Sequence, residues 1–519
     1  MNRHRGIIAA GHQITANAGA EILRAGGNAF DAALAAIFAS CVAEPVLASL
    51  GGGGFLLAGK AHQHPYLLDF FTQTPGAKRP DDEIDFFPIL ADFGTAQQEF
   101  HIGMGSIAAP GVIKGAFKIH RDLCSMPLET IIEPACEAAR SGVVVNAFQH
   151  YIADIVSPII AANPAAMSLY ATREAPGQIA GPGGRLYYDD LANTLENLVR
   201  EGADLFYRGE MGQQLIRDCR DRGGYLRQRD LSDYRAIQRR PLELDYHRAH
   251  LFTNPAPSVG GTLIAFTLTL LQQEQLGSYA PETLLPTLCI AHAQRLTQRL
   301  RRDHDIELDL EESTARKILS HDYLRSFRES MRNHARCFRG TTQISVADAE
   351  GNMASTTLSN GEGSGYVLPG TGIMLNNMLG EEDINPHGFH RWPEDRRIAS
   401  MMSPTLVLQD NGQAIATGSG GSNRIRSAIL QVLINLLDFG MDASRAVEHP
   451  RIHFEDDLLN LEEGCCANDI AQVYAQYPKH RLWPSKNLFF GGAHTVIRSP
   501  TGELTGKGDS RRGGVCVRV

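Results

Sequence analysis

Apolar residues recur at helical spacing through residues 13–25 (QITANAGAEILRA), and Gly26-Gly27 ends that pattern. Asn28 is placed to cap a second, almost continuously apolar helix, FDAALAAIFASCVAE, which stops at Pro45. The glycine run 51–54 then leads into FLLAG, a short strand. Between 105 and 330 the periodicity is mostly helical, with stretches around 126–140, 187–200, 208–222, 260–275 and 283–303. After 340 the period changes to alternation. TTQISVADAEGNMASTTLS is rich in Thr, Ser and Val and reads as two strands about a turn. Further strand-like runs lie at 404–409, 413–417, 493–499 and 513–519. Strand material at both ends of a helical middle predicts that the two ends share a sheet.

Composition narrows the partners. A chain of 519 residues predicts two or more domains, and 43% hydrophobic with 21% charged residues is a globular balance. The formal net charge of −9 disfavours nucleic acid or an anionic membrane as the main partner. The start, MNRHRGIIAAGH, is basic but runs into no signal-like apolar stretch, and the longest apolar run, Ala32–Ala43, is too short to span a bilayer. A cytoplasmic location is therefore expected. Nine scattered cysteines, with no CxxC pair, read as packing thiols in a reducing compartment. The chain has no HExxH, EF-hand or GxSxG pattern, and the glycine run is followed by Phe55-Leu56-Leu57 rather than a phosphate-loop Lys. Neither a metal nor a cofactor is expected.

The candidate chemistry lies in Gly340-Thr341-Thr342-Gln343-Ile344. Two threonines at a strand start are ordinary by themselves, but the hairpin geometry adds to them. The turn signal Asp348–Asn352 is centred on Glu350, so antiparallel folding sets Thr341 opposite Ser359, each nine residues from the centre. Directly opposed Cβ atoms sit ~4.5–5.5 Å apart, which gives Thr341 a hydroxyl partner. Downstream, Gly418-Ser419-Gly420-Gly421-Ser422-Asn423-Arg424-Ile425 precedes a helical run. It reads either as a plain strand-to-helix turn or as backbone amides suited to an oxyanion.

These segments together resemble the γ-glutamyltransferases, members of the N-terminal nucleophile hydrolases. The resemblance runs nearly end to end: AGAEILRAGGNAFDAALAA and EPVLASLGGGGF, APGVIKGA, GADLFYRG, GGYLRQRDLSDY, NPAPSVGGT, TTQISVADAEGN, PGTGIMLNN, SMMSPTL, TGSGGSNRI and GDSRRGG, in order. It implies an α+β fold, a four-layer αββα sandwich. It also implies self-cleavage between Gly340 and Thr341 into a large segment, 1–340, holding sheet strands and the helical region of about 105–330, and a small segment, 341–519. The two would stay associated as a heterodimer. Thr341 would then be nucleophile, with its own α-amine as base. Ser359 matches the hydroxyl that holds the nucleophile, and Gly421 and Ser422 match the oxyanion pair. The implied activity is transfer or hydrolysis of γ-glutamyl amides, glutathione included, from a small-molecule donor to water, an amine or an amino acid.

The substrate side departs from the family's pattern. Ser400 and Glu381 match groups for the substrate carboxylate and α-amine. Met401 stands where a second serine is usual, Met378 where Gln or Glu is, and Gly361 where Asn is. The family's DFRE-like segment, whose arginine pairs with the substrate carboxylate, reads Asp69-Phe70-Phe71-Thr72 here. The chain between Asn377 and Ser400 is short for a full active-site lid. The lost arginine raises a second reading, an acylase of the cephalosporin-acylase kind. A third, a catalytically silent binding subunit, is disfavoured by the retained Thr341, Ser359 and glycine run.

Overall fold

The computed structural model of the chain describes residues 4–92, 97–303, 311–320, 323, 341–385, 388–466 and 469–519. Two sheets lie face to face. The first has seven strands in the order Val515–Arg518, Gly6–Ala10, Thr342–Asp348, Met353–Ser359, Gly53–Gly59, Tyr66–Phe70 and Ile237–Arg239. The second has six: Leu504–Lys507, Gly492–Arg498, Ala414–Gly420, Thr405–Gln409, Ala249–Thr253 and Leu242–Tyr246. Both draw strands from before residue 340 and after 341, so the ends of the chain share a sheet as the pattern predicts.

Helices cover both outer faces. Gln13–Arg24, Ala29–Ala43 and Val112–Leu123 pack on the first sheet; Val259–Leu271 and Arg424–Leu437 pack on the second. Residues Ala29–Ala43 are buried on every side, which explains an apolar run with no polar face. Asn28 caps this helix, its side chain accepting from the N–H of Phe30 and Asp31. Close packing of the first two helices needs Gly19, where a Cβ would meet Ala32 O at 2.9 Å.

The middle of the chain is less uniformly helical than its periodicity suggests. The hairpin Leu242–Tyr246/Ala249–Thr253 supplies two strands of the second sheet, and Ile237–Arg239 forms an edge of the first. LELDY and AHLFT are each only five residues, too few for their alternation to stand out. What makes them strands is pairing: AHLFT pairs with Thr405–Gln409, about 155 residues away, and LELDY pairs in turn with AHLFT.

The two faces of the central hairpin have different characters. Ile344 and Val346 point into the helix-side core, while Gln343 and Ser345 point between the sheets. There Gln343 Nε2 donates to Ser345 Oγ and Ser355 Oγ, both at 3.0 Å. Thr357 donates to Gln343 Oε1 at 2.6 Å, and Ser345 and Ser355 donate across to carbonyls of His494 and Thr417. These bonds tie the sheets together in a buried region where unpaired polar atoms would be costly.

Candidate active site

The hairpin register fixes where Thr341 sits. Thr342 faces Leu358 and Gln343 faces Thr357, the alignment expected from a turn centred on Glu350. Side-chain alternation then sends Thr341 to the inter-sheet side with Gln343, and Thr342 to the helix side. Thr341 and Ser359 are both buried and line one cavity of ≈ 40 Å³. Ser359 Oγ also accepts the Gly361 N–H at 3.1 Å, which fixes the turn leaving the strand.

Gly420–Asn423 closes the cavity beside Thr341. Gly420 ends a strand of the second sheet so near Thr341 that a Cβ there would lie 2.0 Å from the Thr341 carbonyl oxygen. Gly421 has φ +121° and Ser422 φ +50°. A left-handed conformation is uncommon for serine and costs energy that the surrounding structure must hold. Gly421 O and Ser422 O accept the N–H groups of Arg424 and Ile425, so this turn opens the helix Arg424–Leu437. Ser422 itself lines the cavity.

Phe71, Met378, Glu381, Ser400 and Met401 also line it, together with Val259, Ile384, Ala399, Met402 and Ile425. Ser400 Oγ accepts from Met402 N–H at 3.1 Å, and its carbonyl accepts from Val259 N–H and Ser258 Oγ. Gly361 is not in the lining; it backs Glu381, and a Cβ there would come within 2.1 Å of Glu381 Oε1 and Asn377 Oδ1. Of the predicted site residues, therefore, only Gly361 and Gly421 are outside the lining, each next to a residue in it. Gly340 lies outside the described residues. The segment 378–399 contributes Met378, Glu381, Ile384 and Ala399 to the wall.

Two arginines without an assigned role in the sequence reading prove important. Arg397 enters from this same segment and reaches Phe71, but from behind. Its guanidinium donates to the Phe71 and Arg235 carbonyls and to Tyr234 Oη (2.6 Å), and pairs with Asp69 at 3.4 Å. Asp69 also takes Arg239 at 2.8 Å. The Phe71 ring stacks on Phe55, with centroids 5.4 Å apart. Arg512, in the GDSRRGG motif, is buried with Nη1 3.3 Å from Thr341 O. Burial, with Arg424 nearby, pulls its guanidinium down to about 10. Arg512 is carried on a turn anchored by Asp509, which pairs with Arg451 (2.7 Å) and Arg511 (3.2 Å). Asp509 is fully buried and costly to desolvate. These cations and the N–H groups of Ala493 and Arg511 nevertheless hold its carboxyl at about 2. Only a motif-level resemblance could have flagged Arg512, since its neighbours come from strands far away in sequence.

A sequence model described as Gamma-glutamyltranspeptidase matches residues 15–519. The chain belongs to the γ-glutamyltranspeptidase family. Among relatives, it is 29% identical to the Acylase ACY 1 proenzyme of Pseudomonas sp. (strain V22), over 99% of this chain and 94% of that one. It is 27% identical to the Glutathione hydrolase proenzyme of Escherichia coli (strain K12), over 98% and 90%. In structure it resembles the cephalosporin acylase from Bacillus halodurans with a TM-score of 0.84 at 23% identity, covering 99% of this chain and 96% of the other. It also resembles the Helicobacter pylori γ-glutamyltranspeptidase with a TM-score of 0.55 at 22% identity, covering 62% and 90%. The fold is thus the αββα sandwich of the N-terminal nucleophile hydrolases, and the family is one of enzymes that includes both hydrolases of glutathione and acylases. At Phe71, Arg397 donates to the backbone carbonyl but is not among the described residues that line the cavity. No helix among the described residues is long and apolar enough to cross a membrane.

Proposed function

We propose that this chain is a self-activating amidase and acyltransferase with Thr341 as nucleophile. Its acyl site suits an amine-bearing acyl group whose α-carboxylate is modified or absent. The observation that carries this reading is the make-up of one cavity. Thr341, Ser359 and Ser422 meet there beside Glu381, while Phe71 and three methionines form the walls and no Arg or Lys among the described residues lines it.

Cleavage between Gly340 and Thr341 would free an α-amine. Such an amine has a reference pKa of about 7.7–8.0, near working pH, whereas an amide nitrogen has no useful basicity. In turnover Thr341 Oγ attacks the amide carbon of the donor, and its proton passes to the α-amine. The carbonyl oxygen becomes an oxyanion held by backbone N–H groups at Gly421 and Ser422. The C–N bond then breaks, the leaving amine takes the proton, and an ester on Thr341 remains. Water or an acceptor amine attacks that ester, giving the acid or a new amide and returning the proton and hydroxyl. Ser359 orients the Thr341 hydroxyl, and Glu381 receives the amine of the acyl group.

The competing reading is hydrolysis or transfer of ordinary γ-glutamyl amides, glutathione among them. Ser400 favours it, because this residue lines the cavity and a serine hydroxyl is a donor for a carboxylate. Mass spectrometry separates the two after incubation with a panel of γ-glutamyl and other acyl amides. The proposal expects a mature fragment starting at Thr341 that carries the acyl mass, and an uncut, unlabelled chain for Thr341→Ala. Active wild-type enzyme whose only N-terminus is the original one would overturn it.

A further inference from the structure

Behind the hairpin, on the face away from the cavity, sits a buried acid with no part in the chemistry above. Glu44 follows directly on the helix Ala29–Ala43 and is 4% exposed. Its Oε2 accepts the Thr342 hydroxyl at 2.7 Å and its Oε1 accepts the Thr15 hydroxyl at 2.7 Å. Thr15 and Thr342 are themselves buried. The space is fully used: a Cβ on Gly11 would come 2.5 Å from Glu44 Oε2 and 2.9 Å from Thr342 Oγ1.

This is an expensive place for a carboxyl group. It lies at the C-terminal end of a helix, where the dipole disfavours negative charge, and burial pushes its pKa up against the pull of the two hydroxyls. Apolar side chains of the same shape in place of the acid and its two hydroxyl partners would avoid that cost, so the acid needs another explanation. Its position supplies one. Thr342 is the residue after the proposed nucleophile and the first of its strand to pair. Cutting before Thr341 turns that point into a chain end, and chain ends fray unless tied down.

We propose that Glu44 is a positioning residue for Thr341. Gripping Thr342 Oγ1 from the helix side, it holds the strand end in register, so that the hydroxyl and α-amine of Thr341 keep their aim before and after the cut. This rests on Thr341 being the nucleophile.

Self-cleavage provides an assay that needs no known substrate, and L-γ-glutamyl-p-nitroanilide provides a turnover probe. Thr342→Val removes the hydroxyl at nearly constant volume, Thr342→Ser restores it, and Glu44→Met removes both acceptor oxygens at similar side-chain length. A displacement of ~1 Å can cost 10²-fold. We therefore expect Thr342→Val to slow cleavage and lower kcat by about tenfold or more, with KM changed by less than about twofold. Thr342→Ser should recover both rates. Parental rates in Thr342→Val, or a Thr342→Ser as slow as Thr342→Val, would overturn the proposal, the second because packing and not the hydroxyl would then matter. Should Thr342→Val fail to fold, Glu44→Met decides: a lowered kcat at unchanged KM supports the clamp, and a parental kcat removes it. Thr341→Ala keeps the two ideas apart. Cleavage in that variant defeats the nucleophile assignment, whereas an inert Thr341→Ala beside a normal Thr342→Val defeats the role of Glu44 alone.

Discussion

Adding one methyl group at Gly420 should disable Thr341, the proposed nucleophile, without replacing it. The Cβ of an alanine there would stand 2.0 Å from the Thr341 carbonyl oxygen, where real Cβ contacts essentially never fall below 3.0 Å. The backbone of one strand or the other must yield by at least the difference, about 1 Å, a shift large enough to cost on the order of 10²-fold in rate. No flexible side chain can absorb it, because the obstacle is main chain, and Arg512 Nη1 lies 3.4 Å away on the same side. The strain itself should lower stability by roughly 1–3 kcal/mol, as other overpacked cores do. Gly420→Ala is therefore expected to fold with a modestly reduced melting temperature, to self-cleave slowly or not at all, and to lose most p-nitroanilide release. Gly181→Ala is the control, since nothing lies within 4 Å of its Cβ. The assays are gel densitometry of cleavage over time, initial rates on the cleaved fraction and thermal denaturation. If Gly420→Ala cleaves and turns over like the Gly181→Ala control, Thr341 is not held against this strand in the way the geometry requires.

Ser359→Ala should lower kcat and, because the buried Gly361 N–H loses its acceptor, should also lower the melting temperature modestly. The lost hydrogen bond is worth about 0.5–1.5 kcal/mol, or more where it acts on developing charge; parental kcat in fully cleaved Ser359→Ala would refute this role. Phe71→Arg should improve the KM for a γ-glutamyl anilide relative to its α-decarboxylated analogue, because a guanidinium supplies paired donors that no Arg among the described lining residues provides. A wild-type enzyme that already strongly prefers the carboxylate-bearing compound would sink that expectation. Asp509 has a folded pKa of about 2 against an ordinary 3.8, so its stabilisation is complete above pH 4 and is lost as pH falls through 2, about 2 kcal/mol in all. Asp509→Asn should cost more, roughly 3–5 kcal/mol, since it leaves Arg451 and Arg511 short of a buried partner; acid and urea titrations of the two proteins would expose an error in either figure.

The sequence by itself determined the local elements and the axis of the central hairpin. Periodicity of 3.6 and of 2, glycine stops and the Asn28 cap are properties of neighbours along the chain, and so is a turn centred on Glu350. The hairpin axis paired Thr341 with Ser359, whereas the roles given to them and to Gly421 and Ser422 rest on the family resemblance. The strands Leu242–Tyr246 and Ala249–Thr253 were not legible, because the second depends on a partner strand beyond residue 400 and the first pairs onto the second. Arg397 and Arg512 were beyond reach for the same reason. Whether a guanidinium faces the cavity or turns toward Asp69 and Tyr234 is settled by which groups the fold brings within a few ångströms, and those come from segments 160 to 330 residues apart in the chain. Glu44 shows the limit most sharply. In the sequence it is the last residue before a helix-ending proline; only the packing of that helix on the sheet makes it the partner of Thr342, 298 positions away.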